Sequence, residues 1–174
     1  MNERQSHGFK YEEKYIQENG LINEEKYTSS WDAYDKDGIP YQIKCIKEGS
    51  SIDMGDYFIN SEKNVDFFLV ISFWRNNKSN IVKTFKLFIK HEKWKNFLDF
   101  EFKDKLKDWI KNKVSNSYSY DKQWKEEMKQ WKDLWGDRKI QLRFKRDHSS
   151  QRRIQCAINQ TDFNNFFVKE FLVE

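Results

Sequence analysis

The clearest alternation of hydrophobic and polar positions lies at residues 39–46. The apolar members, which share one face of a predicted strand, are Ile39, Tyr41, Ile43 and Cys45. Gln42 and Lys44 lie on the other face, because successive side chains of a strand alternate in direction. Residues 31–34 also have the composition of a short strand, and residues 35–38 have that of a tight turn. The pattern therefore predicts a β-hairpin.

The turn between these strands predicts their register. A three-residue loop that ends in a left-handed glycine pairs Asp35 with Ile39. Asp32 then falls opposite Gln42. Because the strand period is two residues, Lys44 is expected on the same face of the hairpin.

Helical periodicity and continuous apolar runs predict the remaining elements. Residues 8–19 place Phe9, Tyr15 and Ile16 on one face of a helix that ends at Gly20. A polar loop with a short helix is predicted at 49–61, followed by a buried central strand at 66–74 with a partner strand at 81–89. Helices are predicted within 91–135, and two strands at 139–145 and 152–158 flank a tip at 146–151. A closing helix is predicted at 162–171, capped by Thr161 or Asp162.

A stripe of large side chains recurs at helical spacing in the carboxyl-terminal half. It consists of Trp124, Met128, Trp131 and Trp135. Steps of four, three and four residues bring these side chains to one face of an amphipathic helix. We expect the stripe to pack in the core, with stacking on nucleobases as the alternative.

Composition places the chain among globular proteins with an aromatic core. Only 37% of the 174 residues are hydrophobic and 34% are charged, yet Phe, Trp and Tyr make up 17%. Large rings must therefore build the core, which argues against disorder. The element order predicts an α/β (α+β) fold, in which helices flank a mixed β-sheet and a basic β-hairpin follows near the carboxyl end.

The same composition argues against membrane insertion and secretion. The longest apolar stretch, residues 67–74, is far shorter than the roughly 20 residues that span a bilayer. Residues 1–10 lack the apolar segment of a secretory signal. Cys45 and Cys156 lie in strand-like runs, and we expect both to be reduced core residues of a cytoplasmic protein.

Charge is distributed unevenly along the chain. Residues 138–153 carry five arginines and two lysines against one aspartate, a formal charge of +6, whereas the whole chain carries +4. Arginine is the residue that recognises phosphates and guanine edges with a planar fork of donors, so this segment predicts nucleic-acid binding. A solvated basic hairpin is the alternative. The candidate DNA-binding residues are Arg143, Lys145, Arg146, His148, Gln151, Arg152, Arg153 and Gln155, together with Ser50 and Ser51.

The hairpin at residues 31–46 carries the candidate chemistry. An acid on the first strand, Asp32, can hold a divalent cation for phosphodiester cleavage, and Lys44 on the next strand can orient or deprotonate the attacking water. Glu12 on the preceding helix is placed to complete the metal shell from the side. Mg²⁺ is the expected cation, since it prefers carboxylate and carbonyl oxygens, and Mn²⁺ can substitute for it.

These residues resemble the PD-(D/E)XK nuclease superfamily, and within it the small type II restriction endonucleases. The resemblance rests on Gly8-Phe9-Lys10-Tyr11-Glu12, on Trp31-Asp32 and on Tyr41-Gln42-Ile43-Lys44, and it covers about the first 75 residues, including the strand at 66–74. It implies a mixed sheet flanked by helices, Mg²⁺-dependent cleavage, and a homodimer that acts on a palindromic site. The implied catalytic residues are Asp32, Gln42, Lys44 and Glu12. The implied metal ligands are Asp32, Glu12, Gln42 and the backbone carbonyl of Ile43.

Position 42 departs from the family pattern, because glutamine stands where the family has Asp or Glu. A neutral amide is a weaker metal ligand than a carboxylate, so we expect one tightly held cation rather than two. Glu48 is a candidate for a displaced carboxylate. Asp32, Lys44 and Glu12 each also have a purely structural interpretation as surface residues. Asp35 and Asp37 are interpreted as turn residues. Of the three histidines, His7, His91 and His148, only His148 at the basic tip is placed to contact DNA.

The expected function is that of a bacterial, cytoplasmic type II restriction endonuclease that cuts double-stranded DNA. We expect a single domain over residues 1–174, with a catalytic core at about 1–90 and a helical and DNA-reading part at about 91–174. A homodimer and a cognate DNA methyltransferase, as a genetic partner, are implied. Two alternatives remain open: a structure-specific nuclease for junctions or repair, and a non-catalytic nucleic-acid-binding module whose metal site was lost at Gln42.

Overall fold

The computed structural model describes residues 3–24, 31–98, 101–115, 122–148 and 151–172. The helices are α1 (Glu3–Glu18), α2 (Tyr57–Glu62), α3 (His91–Leu98), α4 (Lys103–Ser115) and α5 (Lys122–Trp135). A closing helix, α6, comprises Gln160–Asp162, a wider π-helical segment at Phe163–Phe167 and Val168–Phe171. The strands are β1 (Ile22–Asn23), β2 (Ala33–Tyr34), β3 (Pro40–Lys47), β4 (Ile52–Asp56), β5 (Phe67–Trp74), β6 (Ile81–Ile89), β7 (Ile140–His148) and β8 (Gln151–Ile158).

Within these ranges the chain divides into two compact units. The first unit comprises Met1–Ser50, Asn64–Trp94 and Gln160–Glu174, and the second comprises Ser51–Lys63 and Lys95–Asn159. The predicted catalytic core at about 1–90 and the predicted helical and DNA-reading part at about 91–174 stay predictions. The prediction of a single domain over the whole chain stays a prediction.

The first unit is built on a mixed sheet in which the strand order is β1-β2-β3-β5-β6. Strands β3 and β5 are parallel, and the other neighbours are antiparallel. As predicted from its apolar run, β5 is buried on both faces. Ile16 of α1 packs on one face of the sheet against Ala33 and Ile43. Phe163 of α6 packs edge-to-face against Phe73 of β5, so the predicted mixed sheet flanked by helices is confirmed.

The predicted hairpin register is also confirmed. Asp35 N–H donates to Ile39 O at 3.0 Å across the turn, and Gly38 has a φ of +79°, the left-handed conformation that the loop requires. Ala33 pairs with Tyr41 and Tyr34 with Pro40, which is the register that the turn predicts, whereas the pairing of Asp32 with Gln42 stays a prediction. Strand β2 is shorter than predicted, and β3 begins and ends one residue later than predicted.

The second unit contains a sheet in which the strand order is β4-β8-β7. We call it the hairpin sheet. The prediction of a loop at the start of residues 49–61 is wrong, because Ile52–Asp56 is a strand that pairs with β8. Ile52 and Met54 are buried, and Gly55, with a φ of +87°, lies where the register shifts. The predicted short helix follows as α2.

The basic hairpin is longer than predicted, since β7 and β8 extend to His148 and from Gln151. On α5, Trp124 and Trp135 are 2% and 3% exposed, and Trp124 stacks on Trp109 of α4 with ring centroids 5.0 Å apart. The interpretation of these two tryptophans as core residues is confirmed.

The closing helix starts earlier than predicted. It begins at Gln160, so Thr161 and Asp162 lie within its first turn instead of capping it. The side-chain oxygen of Gln160 accepts a hydrogen bond from the backbone N–H of Gly49. This contact ties the start of the helix to the end of β3.

None of the helices in the described ranges has the length and apolar character needed to cross a membrane. Cys45 and Cys156 are both thiols. Partial burial raises the pKa of Cys45 to about 11, so this thiol is protonated and unreactive at neutral pH.

Candidate functional site

Asp32 immediately precedes strand β2 and lies beside strand β3. Its backbone N–H donates at 2.9 Å to the carbonyl of Tyr41, the strand partner of the next residue, Ala33. Its side-chain Oδ2 accepts a hydrogen bond from Ile43 N–H at 2.6 Å. The carboxylate therefore takes the place that a strand carbonyl would occupy next to β3. This bond holds the acid at a defined position on the edge of the strand that carries Gln42 and Lys44.

Glu12 of α1 completes the group of charged residues. Burial, followed by the negative charge of Asp32, raises the pKa of Glu12 to about 7, whereas the positive charge of Lys44 acts in the opposite direction and Glu13 adds to the rise. Asp32 and Lys44 are therefore within electrostatic range of the Glu12 carboxylate. The structure thus brings together three of the residues that the sequence selected.

Gln42 and Lys44 are partly buried on β3, and they alternate with Tyr41 and Ile43, which are buried. Gln42 is paired with Leu69 on β5. Lys44 is partly exposed to solvent.

Helix α1 is anchored at both ends of the segment that carries Glu12. At its carboxyl end Gly20, with a φ of +61°, closes the helix. There Leu21 N–H donates to Ile16 O at 3.0 Å and Gly20 N–H to Gln17 O at 3.3 Å, the two bonds of a Schellman motif. One turn before Tyr15, the Tyr11 hydroxyl forms a short hydrogen bond with Ser72 Oγ.

The donor set fits a single hard cation better than a pair. Across the described residues, no group of three or more His, Cys, Asp or Glu side chains is arranged to hold a metal ion. At the hairpin the two carboxylates whose charges interact are those of Glu12 and Asp32, and Gln42 as a ligand stays a prediction. Mg²⁺ keeps several waters and takes further ligands from a substrate phosphate, so this donor set suffices for one ion. The Ile43 carbonyl as a ligand stays a prediction.

The proposed substitute carboxylate, Glu48, does not join this group. Its side chain forms a two-point contact with the Arg75 guanidinium, in which Nη2 lies 2.9 Å from Oε1. The pKa of Glu48 is lowered by the hydrogen bond and charge of Arg75. This carboxylate is therefore committed to an ion pair at the other end of β3.

Other polar residues that the sequence singled out have structural roles. The Asp35 carboxylate accepts hydrogen bonds from Asp37 N–H and Ile39 N–H, each at 2.9 Å, as expected of a turn residue. His91 begins α3, where its backbone N–H and its ring Nδ1 lie 3.0 and 2.9 Å from Asp66 Oδ1. The side chains of His7 and His148 are not among those that the structure describes.

The pairing of strands β7 and β8 in the hairpin sheet determines which candidate DNA-binding residues lie opposite one another. Arg143 pairs with Gln155, Lys145 with Arg153 and Arg146 with Arg152. Arg153 is exposed and Arg143 is partly exposed, whereas Gln155 Oε1 is buried without a hydrogen-bond partner in the described region. Ser50 is exposed and Ser51 is partly buried. Five further candidates have only their backbone positions in β7 and β8 described, and their side chains lie outside the described part of the structure: Lys145, Arg146, His148, Gln151 and Arg152.

Arg138, the first arginine of the basic segment, stabilises the fold. Its guanidinium donates to Trp135 O, lies 3.0 Å from Glu101 Oε2 and stacks over the rings of Phe102 and Trp135. Part of the +6 charge is thus neutralised within the second unit, and Arg153 and Arg143 remain as the described arginines of the hairpin that contact solvent.

The residues missed by sequence reasoning are those that hold α1 on the sheet. Ser72 is completely buried, and besides Tyr11 it contacts Thr84 Oγ1 at 2.7 Å. The signal that could have found them is Ser72 itself, a hydroxyl residue inside the apolar run of β5. A buried hydroxyl requires a partner, and the neighbouring elements had to supply it.

Comparison of the chain with protein-family models, with curated proteins and with solved structures finds no match in any of the three. The class established by the fold is a mixed α/β protein with helices on the mixed sheet. Its function must therefore be argued from the hairpin site.

Proposed function

We propose that this chain is a Mg²⁺-dependent DNA endonuclease of the PD-(D/E)XK type, acting as a type II restriction enzyme. The proposal is supported by one observation above all. The Asp32 carboxylate accepts a hydrogen bond from Ile43 N–H of β3, and the charges of Asp32 and Lys44 both act on the carboxylate of Glu12 from helix α1. A structural hairpin does not require an acid, a second acid from a different helix and a lysine to converge.

Asp32 and Glu12 would hold the cation through carboxylate oxygens, with Gln42 as a weaker neutral ligand. When bound, Mg²⁺ supplies a Lewis acid for the scissile phosphate and lowers the pKa of bound water. The mutual repulsion of the two carboxylates, which contributes to the raised pKa of Glu12, is the unfavourable interaction that a cation between them relieves.

Lys44 would orient or deprotonate the attacking water and would stabilise the negative charge on the phosphate. In the reaction the water oxygen bonds to phosphorus while one ester P–O bond breaks, which leaves one phosphate end and one hydroxyl end. An ammonium group beside the phosphate stabilises the charge that develops on its oxygens. Lys44 also offsets part of the negative charge of the acid pair before substrate binds.

The hairpin sheet would supply contacts to DNA. Arg153 and Arg143 are the described donors suited to phosphate or guanine edges, and a good arginine–guanine pair provides about 1–3 kcal/mol of discrimination. A restriction enzyme of this size that cuts both strands of a palindrome is expected to act as a homodimer, since twofold symmetry of the site matches twofold symmetry of the protein. A bacterial cytoplasm and a neighbouring DNA methyltransferase gene belong to the same proposal.

The test is cleavage of plasmid DNA by the purified protein with Mg²⁺ or Mn²⁺. Discrete fragments are expected, and they disappear in EDTA. Four-way junctions of the same base composition distinguish a sequence-specific enzyme from a structure-specific one. Absence of cutting on every substrate, at low salt and with Mn²⁺, would contradict the proposal.

A matched pair of variants ties the activity to the site. Lys44→Ala should abolish cutting and leave DNA binding intact. Lys47→Ala removes the same side chain from the exposed end of the same strand, where its ammonium lies over the Trp74 ring, and should cut normally. Equal loss in both variants would mean that general charge, and not the site, is responsible.

A second candidate function is a non-catalytic nucleic-acid-binding module. The observations that favour it are the amide at position 42 and the absence, among the described residues, of a group of three or more His, Cys, Asp or Glu side chains that could hold a metal ion. Its signature is DNA affinity that is unchanged by EDTA, with no cleavage under any condition.

A further inference from the structure

We infer that Tyr11 is a positioning residue for Glu12, and that the hydrogen-bonded chain Tyr11–Ser72–Thr84 sets the rotation of α1 that directs Glu12 toward Asp32. The inference rests on the proposed function, because it assigns these hydroxyls a role in cation binding. It adds residues of β5 and β6 to the functional machinery of the hairpin.

The first step is the environment of Ser72. This residue is 0% exposed and lies in the central strand of the mixed sheet, within the run Phe67–Trp74. Leaving a buried hydroxyl without a partner costs about 1–3 kcal/mol. Ser72 Oγ is instead bonded to the Tyr11 hydroxyl and lies 2.7 Å from Thr84 Oγ1. Ser72 thus provides a polar group within the apolar strand, and the hydrogen bond from Tyr11 attaches α1 to it.

The second step is helix geometry. Successive residues of an α-helix are separated by about 100° around its axis, and residues four apart lie on one side. Tyr11 and Tyr15 therefore share one side of α1, and Glu12 and Ile16 share the next. Ile16 packs in the cluster that contains Ala33, the neighbour of Asp32. With Tyr11 held over Ser72, the Glu12 side is turned toward the start of β2.

The third step is the consequence of losing the bond. Packing of Ile16 keeps α1 on the sheet, but apolar contacts are non-directional and permit small rotations. A hydrogen bond is directional, so Tyr11 supplies the rotational restraint. Groups that orient metal ligands without touching the metal typically contribute 10–100-fold in affinity.

The experiment measures the affinity of the full chain for Mn²⁺ by electron paramagnetic resonance, alongside DNA cleavage and the melting temperature. Tyr11→Phe should weaken Mn²⁺ binding roughly 10-fold and raise the Mg²⁺ concentration for half-maximal cleavage in parallel, with the KM for DNA unchanged. Ser72→Ala should weaken Mn²⁺ binding to a similar extent, whereas Ser72→Thr, which keeps a hydroxyl, should bind Mn²⁺ like the wild type. The Tyr11→Phe/Ser72→Ala double variant should bind Mn²⁺ no more weakly than either single variant.

Tyr15→Phe is the matched control, because it removes a hydroxyl from the same side of the same helix one turn later. It should bind Mn²⁺ like the wild type. If the wild type binds Mn²⁺ and cuts DNA while Tyr11→Phe binds equally well, the inference is overturned and the proposed function stands. If the folded wild type neither binds Mn²⁺ nor cuts, both are overturned. If Ser72→Ala fails to fold, Tyr11→Phe alone decides.

Discussion

Asp32 and Ile43 are joined by a hydrogen bond of 2.6 Å from the Ile43 backbone N–H to the Asp32 carboxylate. The bond connects residues eleven positions apart across the hairpin turn. It gives the carboxylate a structural role in the strand edge as well as the proposed role as a cation ligand. The two roles can be separated by substitution.

Asp32→Asn should separate them, since the amide oxygen can still accept from Ile43 N–H but carries no charge. We expect the free energy of unfolding to change by less than about 1 kcal/mol, with cation affinity and cleavage lost. Asp32→Ala should lose the bond too and unfold about 1–2 kcal/mol more easily. Urea titrations and calorimetric Mn²⁺ titrations measure both effects. Asp35→Asn, in the adjacent turn, is the control and should retain cation binding.

Glu12→Gln should stabilise the protein at alkaline pH when no divalent cation is present. The folded-state pKa of about 7 lies above the ordinary value of 4.5, so the folded state holds this proton more tightly than the unfolded state. Stability from this group is complete below about pH 4.5 and is lost as pH rises through 7. The neutral amide avoids that loss.

The expected gain for Glu12→Gln is about 1–2 kcal/mol at pH 8, after allowance for screening by water, and close to zero at pH 4. Urea denaturation at the two pH values in EDTA measures it. A gain that is equal at both pH values would point to helix propensity instead.

Gln42→Glu should restore the family's carboxylate and raise cation affinity. Mn²⁺ titration should show at least a 10-fold lower dissociation constant, and the stoichiometry is expected to approach two ions per chain. Without cation the variant should be less stable than the wild type at pH 8, because a third negative charge adds to the repulsion. A variant that binds no more tightly than the wild type would show that position 42 does not contact the cation.

Asp66→Asn should destabilise the start of α3. Hydrogen bonds from Lys90 and from the backbone and ring of His91 lower the pKa of Asp66 below its ordinary value of 3.8. A lowered pKa contributes stability above pH 3.8, which is lost as pH falls toward the folded-state pKa. We expect a loss of up to about 1 kcal/mol at pH 7, since the ion pair is partly exposed. The difference from wild type should shrink at pH 3, measured by thermal unfolding.

Arg153→Ala should weaken DNA binding on every sequence and reduce the slope of log affinity against log salt by about 1, as loss of one phosphate contact does. Fluorescence anisotropy between 50 and 200 mM salt, roughly the range over which such contacts dominate, measures the slope. Arg138→Ala removes an arginine of the same segment that is bonded to Trp135 O and Glu101, so it should lower stability and leave the salt slope unchanged. An unchanged slope in Arg153→Ala would remove this residue from the DNA interface.

The hairpin could be predicted because its determinants are local. Gly38 can adopt a positive φ without steric cost, and the turn residue Asp35 hydrogen-bonds to its own loop, so residues 31–46 select their own register. Strand β4 could not be predicted in the same way. Its residues, with Gly55 and two aspartates, resemble a loop, and they form a strand because β8 offers them a partner about a hundred residues away in sequence.

Two aspects of the candidate site illustrate the same division. Asp32, Gln42 and Lys44 follow from spacing and strand period. The approach of Glu12 depends on how α1 lies on the sheet, and the bond between Tyr11 and Ser72 that attaches it spans 61 positions. The sequence spacing also allowed Glu48 as an alternative metal ligand, and the ion pair between Glu48 and Arg75 argues against that interpretation.

By itself, the sequence determined the elements whose hydrogen bonds and periodicity are short-range: the end of α1 at Gly20, the β2–β3 register, and the apolar strand β5. Only the tertiary structure decided that β4 pairs with β8, that Arg138 is used within the fold, and that Tyr11 meets the buried hydroxyl of Ser72. The physical reason is that strand partners and buried hydrogen-bond partners are selected by the free energy of burying groups that lie far apart in the chain.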